Sequence, residues 1–360
     1  MNPALSHIRD ILIGFRNEVK KDIIGQDELI DKLLITVFSG GHALLEGVPG
    51  LGKTRTIRSL AMALSLDTKR ISFTPDLLPS DLTGNEIYRV KDGKFEVRKG
   101  PIFTGILLAD EINRTPPKVQ SALLEAMEEK RVTIGEKTLD LPLPFIVFAT
   151  QNPLEHEGTY PLPEAQLDRF LMKIVLDYPS REDERQILIQ ETSIKNSHDT
   201  TKSSSTSLSK LGINLLESEY SVPHPLSVEK DGTTSLKEGD FLEIIDYIAK
   251  NIRVDEKIYE YVGDILTELR KLTQIPIQGK REEAFALLSY GPSTRAGLAL
   301  IRAGRIHALL DNRDYMLPDD VKSLAHDILD HRIGLSYEAQ SEGVSTWSVT
   351  AKVLENVKII

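Results

Sequence analysis

Gly47-Val-Pro-Gly-Leu-Gly-Lys-Thr54 is a complete GxxxxGK[ST] phosphate loop, and further along the chain reads Gly105-Ile-Leu-Leu-Ala-Asp110-Glu111. Both halves of a nucleotide-hydrolysis site are therefore written in the sequence. A short loop wraps a polyphosphate only if its backbone N–H groups turn inward, and Gly47, Gly50 and Gly52 give that freedom around Val48, Pro49 and Leu51. Lys53 then reaches the β- and γ-phosphates, the Thr54 hydroxyl is placed to ligate Mg²⁺, and Arg55 completes the nucleotide-binding set. His42 to Glu46 upstream is an apolar run suited to a buried parallel strand, and Arg55 to Leu66 downstream is apolar at helical spacing. The bland alternative, a glycine-rich turn, leaves the flanking strand, the flanking helix and the second motif unexplained.

In the second motif an apolar strand ends in a carboxylate. At the carboxyl end of a parallel sheet, where such folds bind ligands, Asp110 is expected to hold the metal. Glu111 is expected to face the γ-phosphate and polarise the attacking water, the alternation of side chains along a strand giving the two acids separate roles. Acids that merely cap a helix from about Pro116 to Glu129 are the competing reading.

The chain has 360 residues, more than one core usually holds, so two domains or a domain with a large appendage are expected. It contains no cysteine, which excludes a disulfide framework, a thiolate metal site and a cysteine nucleophile. Arg9, Asp10, Arg16, Glu18, Lys20, Lys21 and Asp22 interrupt the first 25 residues before any signal-peptide core or membrane span forms, so a cytoplasmic protein is expected. A net charge of −10 argues against a broad nucleic-acid footprint. Among the eight histidines His156, between Glu155 and Glu157, is the most ligand-like, although a solvated loop residue reads the same way.

From Asp22 to Pro179 strands near 42–46, 70–73, 105–109, 145–150 and 171–175 alternate with helices near 27–39, 53–65, 116–129 and 163–169, the rhythm of a parallel sheet covered on both faces. Residues 85–97, with Asp92-Gly93 at a turn, and Arg131 to Leu139, around Gly135, read as two hairpins grafted onto that sheet. Thr192 to Thr234 is rich in Ser, Thr and Lys and reads as a mobile linker. Helical patterns resume at 241–250, 255–272, 293–310 and 318–330. The expected organisation is an α/β nucleotide-binding domain with hairpin inserts over 1–180, a helix and flexible linker over 181–237, a smaller all-α lid over 238–335, and a tail over 336–360 formed by one further helix.

With these pieces in order the chain resembles the MoxR family of AAA+ ATPases, which are P-loop NTPases. The resemblance rests on Phe73-Thr-Pro-Asp-Leu-Leu-Pro-Ser-Asp-Leu-Thr-Gly84, on the run from Asp110-Glu-Ile-Asn-Arg to Glu128, and on Ala149-Thr-Gln-Asn-Pro153 leading into Leu167-Asp-Arg-Phe170. It covers roughly residues 22–190 and 238–335. It implies that Asn152 is the sensor-1 residue that helps place the attacking water, although an Asn-Pro turn explains the same letters. Arg169 is implied to be the arginine finger, reaching a neighbouring subunit's γ-phosphate, with Asp168 as its structural partner. Arg295 in Gly291-Pro-Ser-Thr-Arg295 is implied to be sensor 2, acting on the nucleotide from the lid; Arg114 is a further interface candidate. Ile24-Gly25-Gln26 resembles the segment that packs on the adenine edge.

The resemblance further implies ATP and Mg²⁺ as cofactors, a homo-oligomeric and hexameric ring, hairpins that line or crown its pore, and hydrolysis that rotates lid against sheet. The implied partner is a client protein, often one with a von Willebrand factor A-type domain, remodelled or matured in chaperone fashion. A motor subunit of a metal chelatase shares the whole site and is the nearest alternative. A nucleic-acid motor or transcription activator is a more distant one, since no helix-turn-helix and no Gly-Ala-Phe-Thr-Gly-Ala loop is present.

Overall fold

The computed structural model describes residues 2–48, 50–91, 93–153, 158–194, 227–228, 234–235, 238–273 and 286–358. Five strands, β1 (Ala43–Glu46), β2 (Thr68–Ser72), β5 (Ile106–Asp110), β8 (Ile146–Gln151) and β9 (Met172–Val175), form a parallel sheet in the order β2-β5-β8-β1-β9. β1, β5 and β8 are covered on both faces, which is why each is a nearly unbroken apolar run. Register aligns their carboxyl ends: Ser72 lies opposite Asp110, and Glu46 opposite both Gln151 and Val175. The residues that follow β1, β5 and β8, beginning with Gly47, Glu111 and Asn152, therefore emerge at one edge.

The helices are α1 (Pro3–Asp22), α2 (Asp27–Phe38), α3 (Lys53–Ala63), α4 (Pro79–Thr83), α5 (Pro117–Glu129), α6 (Glu164–Leu167) and α7 (Arg181–Ile194), then α8 (Glu238–Asn251), α9 (Glu256–Lys271), α10 (Thr294–Leu310), α11 (Pro318–Leu329), α12 (Tyr337–Ser341) and α13 (Thr346–Asn356). Four antiparallel pairs complete the described chain: β3 (Gly84–Arg89) with β4 (Lys94–Lys99), β6 (Arg131–Ile134) with β7 (Lys137–Asp140), β10 (Ser227–Val228) with β11 (Thr234–Ser235), and β12 (Leu288–Tyr290) with β13 (Gly334–Leu335). The two hairpins read from the sequence are thus present. No helix among the described residues is long and apolar enough to cross a membrane.

Three features depart from expectation, the first being the short β12–β13 pair inside a lid expected to be all-α. α1 was hidden behind its charges, yet Leu5, Ile8, Leu12, Phe15 and Val19 fall on one face and are buried, and the Asn2 side chain caps the first turn by accepting from the Ala4 N–H. The tail forms two helices, α12 and α13, rather than one. Gly343, at φ +76° two residues past α12, takes a left-handed conformation that ends the first helix. The Ser/Thr-rich stretch lies outside the described residues except for the end of α7 and the short β10–β11 pair.

Two apolar clusters flank the sheet. One, around Phe73, Leu123, Met127 and Phe170, packs α5 and the β6–β7 hairpin on one face. The other runs without a break from Leu12 and Phe15 of α1 through α2 and the opposite face of the sheet into Phe241, Leu300 and Leu324 of the helical lid. Within this second cluster Phe38 links α1 to the lid, with its ring centroid 6.4 Å from that of Phe15 and 5.7 Å from that of Phe241. The lid is an appendage that shares the core of the sheet domain.

Polar bonds fasten the same joint. Arg332, 5% exposed, sits in the 3-10 turn after α11. Its Nε meets Asp168 Oδ1 at 2.9 Å, and its terminal nitrogens donate to the carbonyls of Ile328, Asp168, Phe170 and Leu171. A planar guanidinium can serve so many acceptors at once, whereas an ammonium cannot. Burial lowers the pKa of this guanidine, and the Asp168 carboxylate opposes that shift. Arg332→Ala is expected to destabilise the protein by about 3–5 kcal/mol, because it strands a half-buried carboxylate and several carbonyls. Urea unfolding checks this, and Arg332→Lys should recover only part of the loss.

Candidate nucleotide site

The loop after β1 turns through Gly50 at φ +91° and Gly52 at φ +75°, both in the region that favours glycine. A Cβ at Gly50 would meet nothing within 4 Å, so the loop is open on that side. Gly47 and Val48 precede it and Pro49 lies outside the described residues. Lys53 opens α3, and its Nζ donates to the Gly47 carbonyl at 2.6 Å, closing the loop on itself. Burial pushes the Lys53 pKa down, while Asp110, Glu111 and Glu46 pull it up. Thr54 and Arg55 follow in the same helical turn.

Asp110 is the last residue of β5. Its Oδ1 accepts from the Thr150 hydroxyl at 3.0 Å and its Oδ2 from Arg70 Nε at 2.6 Å. Thr150 also accepts the Glu111 N–H at 3.0 Å, so one hydroxyl on the neighbouring strand ties both acids. The separation of those acids has a different origin from the alternation expected. The strand stops at Asp110, and Glu111 is in the left-handed region at φ 56°, a conformation that costs a non-glycine residue about 1 kcal/mol or more. The turn, not the pleat, sends the Glu111 carboxylate to a separate position, where Arg114 Nη1 meets it at 2.9 Å. Asn152, one residue beyond β8, is buried. Sequence reasoning gave no role to Arg70, which is in no motif, or to Thr150, which is part of the run 149–153 but joins the acids only through strand pairing.

The donor set at this edge is all oxygen, from the Thr54 hydroxyl and the Asp110 carboxylate, with further carboxylates at Glu111 and Glu46. Hard oxygen donors of this kind suit Mg²⁺ rather than a softer metal. Gly25, at φ +73°, is packed so closely under Asp183 of α7 that a Cβ would come within 2.5 Å of its carboxyl carbon. Ile24 is half-buried beside it. His156 lies outside the described residues.

Arg169 and Arg295 are elsewhere. Both line a cavity of about 340 Å³ together with Gly41 and His42, which precede β1, and Lys130, which follows α5. That cavity is at the amino end of the strands, and β1 alone separates it from the phosphate loop by four residues at about 3.3 Å each, roughly 13 Å. Arg169 Nη2 lies 2.7 Å from Glu128 Oε2 and Arg295 Nη2 lies 2.5 Å from Glu128 Oε1, so one carboxylate bridges the two guanidinia. Arg169 Nε is buried and has no hydrogen-bond partner among the described residues. Asp168 joins them through Ser293, at 2.9 Å, and through Arg332. Burial brings the Lys130 ammonium down to about 8. Arg295 is on the lid, in the first turn of α10, as the resemblance implied. It lies beside Arg169 and away from the phosphate loop of its own chain, because the shared core and Arg332 seat the lid behind the sheet.

A sheet of this order, carrying a phosphate loop and a terminal Asp-Glu pair, with a helical lid, defines the class of AAA ATPases. The sequence profile of the ATPase family associated with various cellular activities matches residues 42–172, and that of the AAA lid domain matches residues 284–353. The chain is 40% identical to Chaperone MoxR1 of Mycobacterium tuberculosis over 342 residues, 95% of this chain and 80% of that protein. It is 31% identical to Protein MoxR of Methylorubrum extorquens over 336 residues, 92% of this chain and 90% of that one. The crystal structure of a candidate ATPase from Cytophaga hutchinsonii superimposes with a TM-score of 0.80 at 41% identity, covering 99% of this chain and 97% of that one. The chain belongs to the MoxR family of AAA+ ATPases.

Two substitutions separate binding from turnover at this edge. Lys53→Ala is expected to abolish ATP binding, since it removes the cation of the phosphate loop. Glu111→Gln is expected to keep ATP binding and stop hydrolysis, since an amide fills the space without accepting a proton. A fluorescent ATP analogue and phosphate release measure the two, and wild-type turnover in Glu111→Gln would remove that residue from the catalytic role.

Proposed function

We propose that this chain hydrolyses ATP with Mg²⁺ at the boundaries of a homo-oligomeric ring, a hexamer, and uses the cycle to remodel or mature a client protein. In this reading the loop from Gly47 to Thr54 binds the triphosphate and Thr54 and Asp110 hold Mg²⁺. Bound there, the ion neutralises charge on the phosphate oxygens. Glu111 accepts the proton of the attacking water, Asn152 orients that water, and Ile24 and Gly25 flank the adenine. Arg169 and Arg295 act together on the nucleotide of the next subunit.

The observation that carries the ring is the placement of the two arginines. A residue that stabilises charge on a phosphate must touch it. Arg169 and Arg295 sit at the opposite end of the sheet from their own phosphate loop, in a cavity that Lys130, Arg302 and Arg332 make basic. Arginines held out of reach of their own loop can meet a phosphate only on a neighbouring chain, so the basic cavity of one chain and the phosphate loop of the next are complementary. The name Chaperone MoxR1, borne by a relative, supports client remodelling. The β3–β4 hairpin is the surface best suited to meet such a client, since Tyr88, Val90 and Phe95 are exposed on it and the aromatic rings lie 5.2 Å apart. A client with a von Willebrand factor A-type domain fits the family reading.

Mixing two inactive variants tests the boundary site. Arg169→Ala should bind ATP and lose turnover on the order of 10³-fold. Lys53→Ala has no binding site of its own but still carries Arg169. Mixed rings join an intact loop to an intact finger at some boundaries, so activity should partly return. Mixed oligomers that form and stay as inactive as either parent would remove the boundary role. Tyr88→Ala with Phe95→Ala should leave basal ATPase unchanged and reduce the capture of client by a Glu111→Gln trap.

A further inference from the structure

Gln26 is the N-cap residue just before α2, yet its side chain makes no cap hydrogen bond to that helix. A glutamine at this position gives little to its own helix, and here the amide is turned to the phosphate loop instead. Its Nε2 donates to the Leu51 carbonyl at 2.6 Å, and its Oε1 accepts from the Thr56 hydroxyl at 2.8 Å. Thr56 is fully buried, and its hydroxyl also lies 3.2 Å from the Gly52 carbonyl. Both ends of one amide are thus engaged on the loop and on the first turn of α3. Gly25, the preceding residue, is pinned beneath Asp183 of α7, which anchors the other side of the same segment.

A loop that presents N–H groups to an anion must turn its carbonyls outward, and outward carbonyls need donors. In a trans peptide the C=O and the N–H point in opposite directions. With the Leu51 carbonyl held by Gln26, the Gly52 N–H of the same peptide faces away from Gln26. Gly52 has no Cβ and a positive φ, so this peptide can rotate with little steric resistance. Rotation would turn a carbonyl oxygen toward the phosphates, where it repels.

We propose that Gln26 is a positioning residue for phosphate binding: its side-chain amide sets the orientation of the Leu51–Gly52 peptide and so pre-organises the loop. The inference rests on the reading of residues 47–54 as the triphosphate site. It separates Gln26 from the adenine-side role of Ile24 and Gly25, because a residue that orders the loop affects any polyphosphate, with or without a base.

The test uses the full-length chain with Mg²⁺ and two probes, ATP and inorganic tripolyphosphate, competing against a fluorescent ATP analogue. Gln26→Ala removes the donor. Gln26→Glu keeps the shape and the acceptor for Thr56 while placing a carboxylate against the Leu51 carbonyl. Loss of one such hydrogen bond corresponds to roughly a five- to tenfold weaker affinity. Both variants should weaken ATP and tripolyphosphate by the same factor, Gln26→Glu more than Gln26→Ala, with kcat at saturating ATP unchanged. Thr56→Val should shift both ligands in the same direction by less. Unchanged affinities, or a loss for ATP alone, would overturn the proposal; if Gln26→Ala melts below the assay temperature, Gln26→Glu and Thr56→Val still decide it. A wild-type chain that binds neither probe would instead remove the triphosphate site itself, with Lys53→Ala as the reference for lost binding.

Discussion

The buried guanidinium of Arg332 fixes what the amino end of the sheet presents. It is bonded to Asp168 and to the carbonyls of Asp168, Phe170 and Leu171, the segment that leads from α6 into β9. Arg169 lies inside that segment, so its backbone is fixed by a residue of the lid. Asp168 also accepts from Ser293, the cap of α10, and Arg295 is in the first turn of that helix. One ion pair thereby holds both Arg169 and Arg295 in register with Glu128. A buried pair of this kind is a weak source of net stability, and its effect is to specify one docking geometry among those that apolar packing alone would allow.

At the other end of the sheet the constraint is the junction of β5 and β8. Register places Ala109 opposite Ala149, so Asp110 and Thr150 meet as the pairing ends. Thr150 then restrains both acids, and the left-handed Glu111 is held in a conformation it would otherwise avoid. Lys53 is drawn into the same field, its charge opposed by burial and favoured by three nearby carboxylates. The Lys53 ammonium and the carboxylates beside it are thus electrostatically coupled.

How much of this was legible in the sequence follows from the range of the interactions. The phosphate loop and Asp110-Glu111 are contiguous strings whose flanking strands and helices announce themselves by periodicity, so the sheet and its carboxyl edge could be read directly. The seat of Arg295 could not, because it depends on Arg332 finding the carbonyls of residues 168–171, more than 160 positions away. The roles of Arg70 and of Thr150, the latter quoted only as a letter of the run 149–153, were hidden for the same reason: strand residues become site residues only when register is known. The apolar face of α1 was present in the letters but outweighed by its charged face, and the break in the tail turned on one glycine, Gly343.

The unbroken apolar cluster from α1 to α11 bears on how such a machine can move. Hinged opening of lid from sheet would expose Phe38, Phe241 and their neighbours to water, at about 25 cal/mol for each Å² of apolar surface uncovered. Rotation of the lid against its own sheet, the motion anticipated from the family, is therefore opposed by the core itself. Lid and sheet of one chain are thus held as a single block, and in the ring proposed above any change of angle with phosphate occupancy would fall between neighbouring chains.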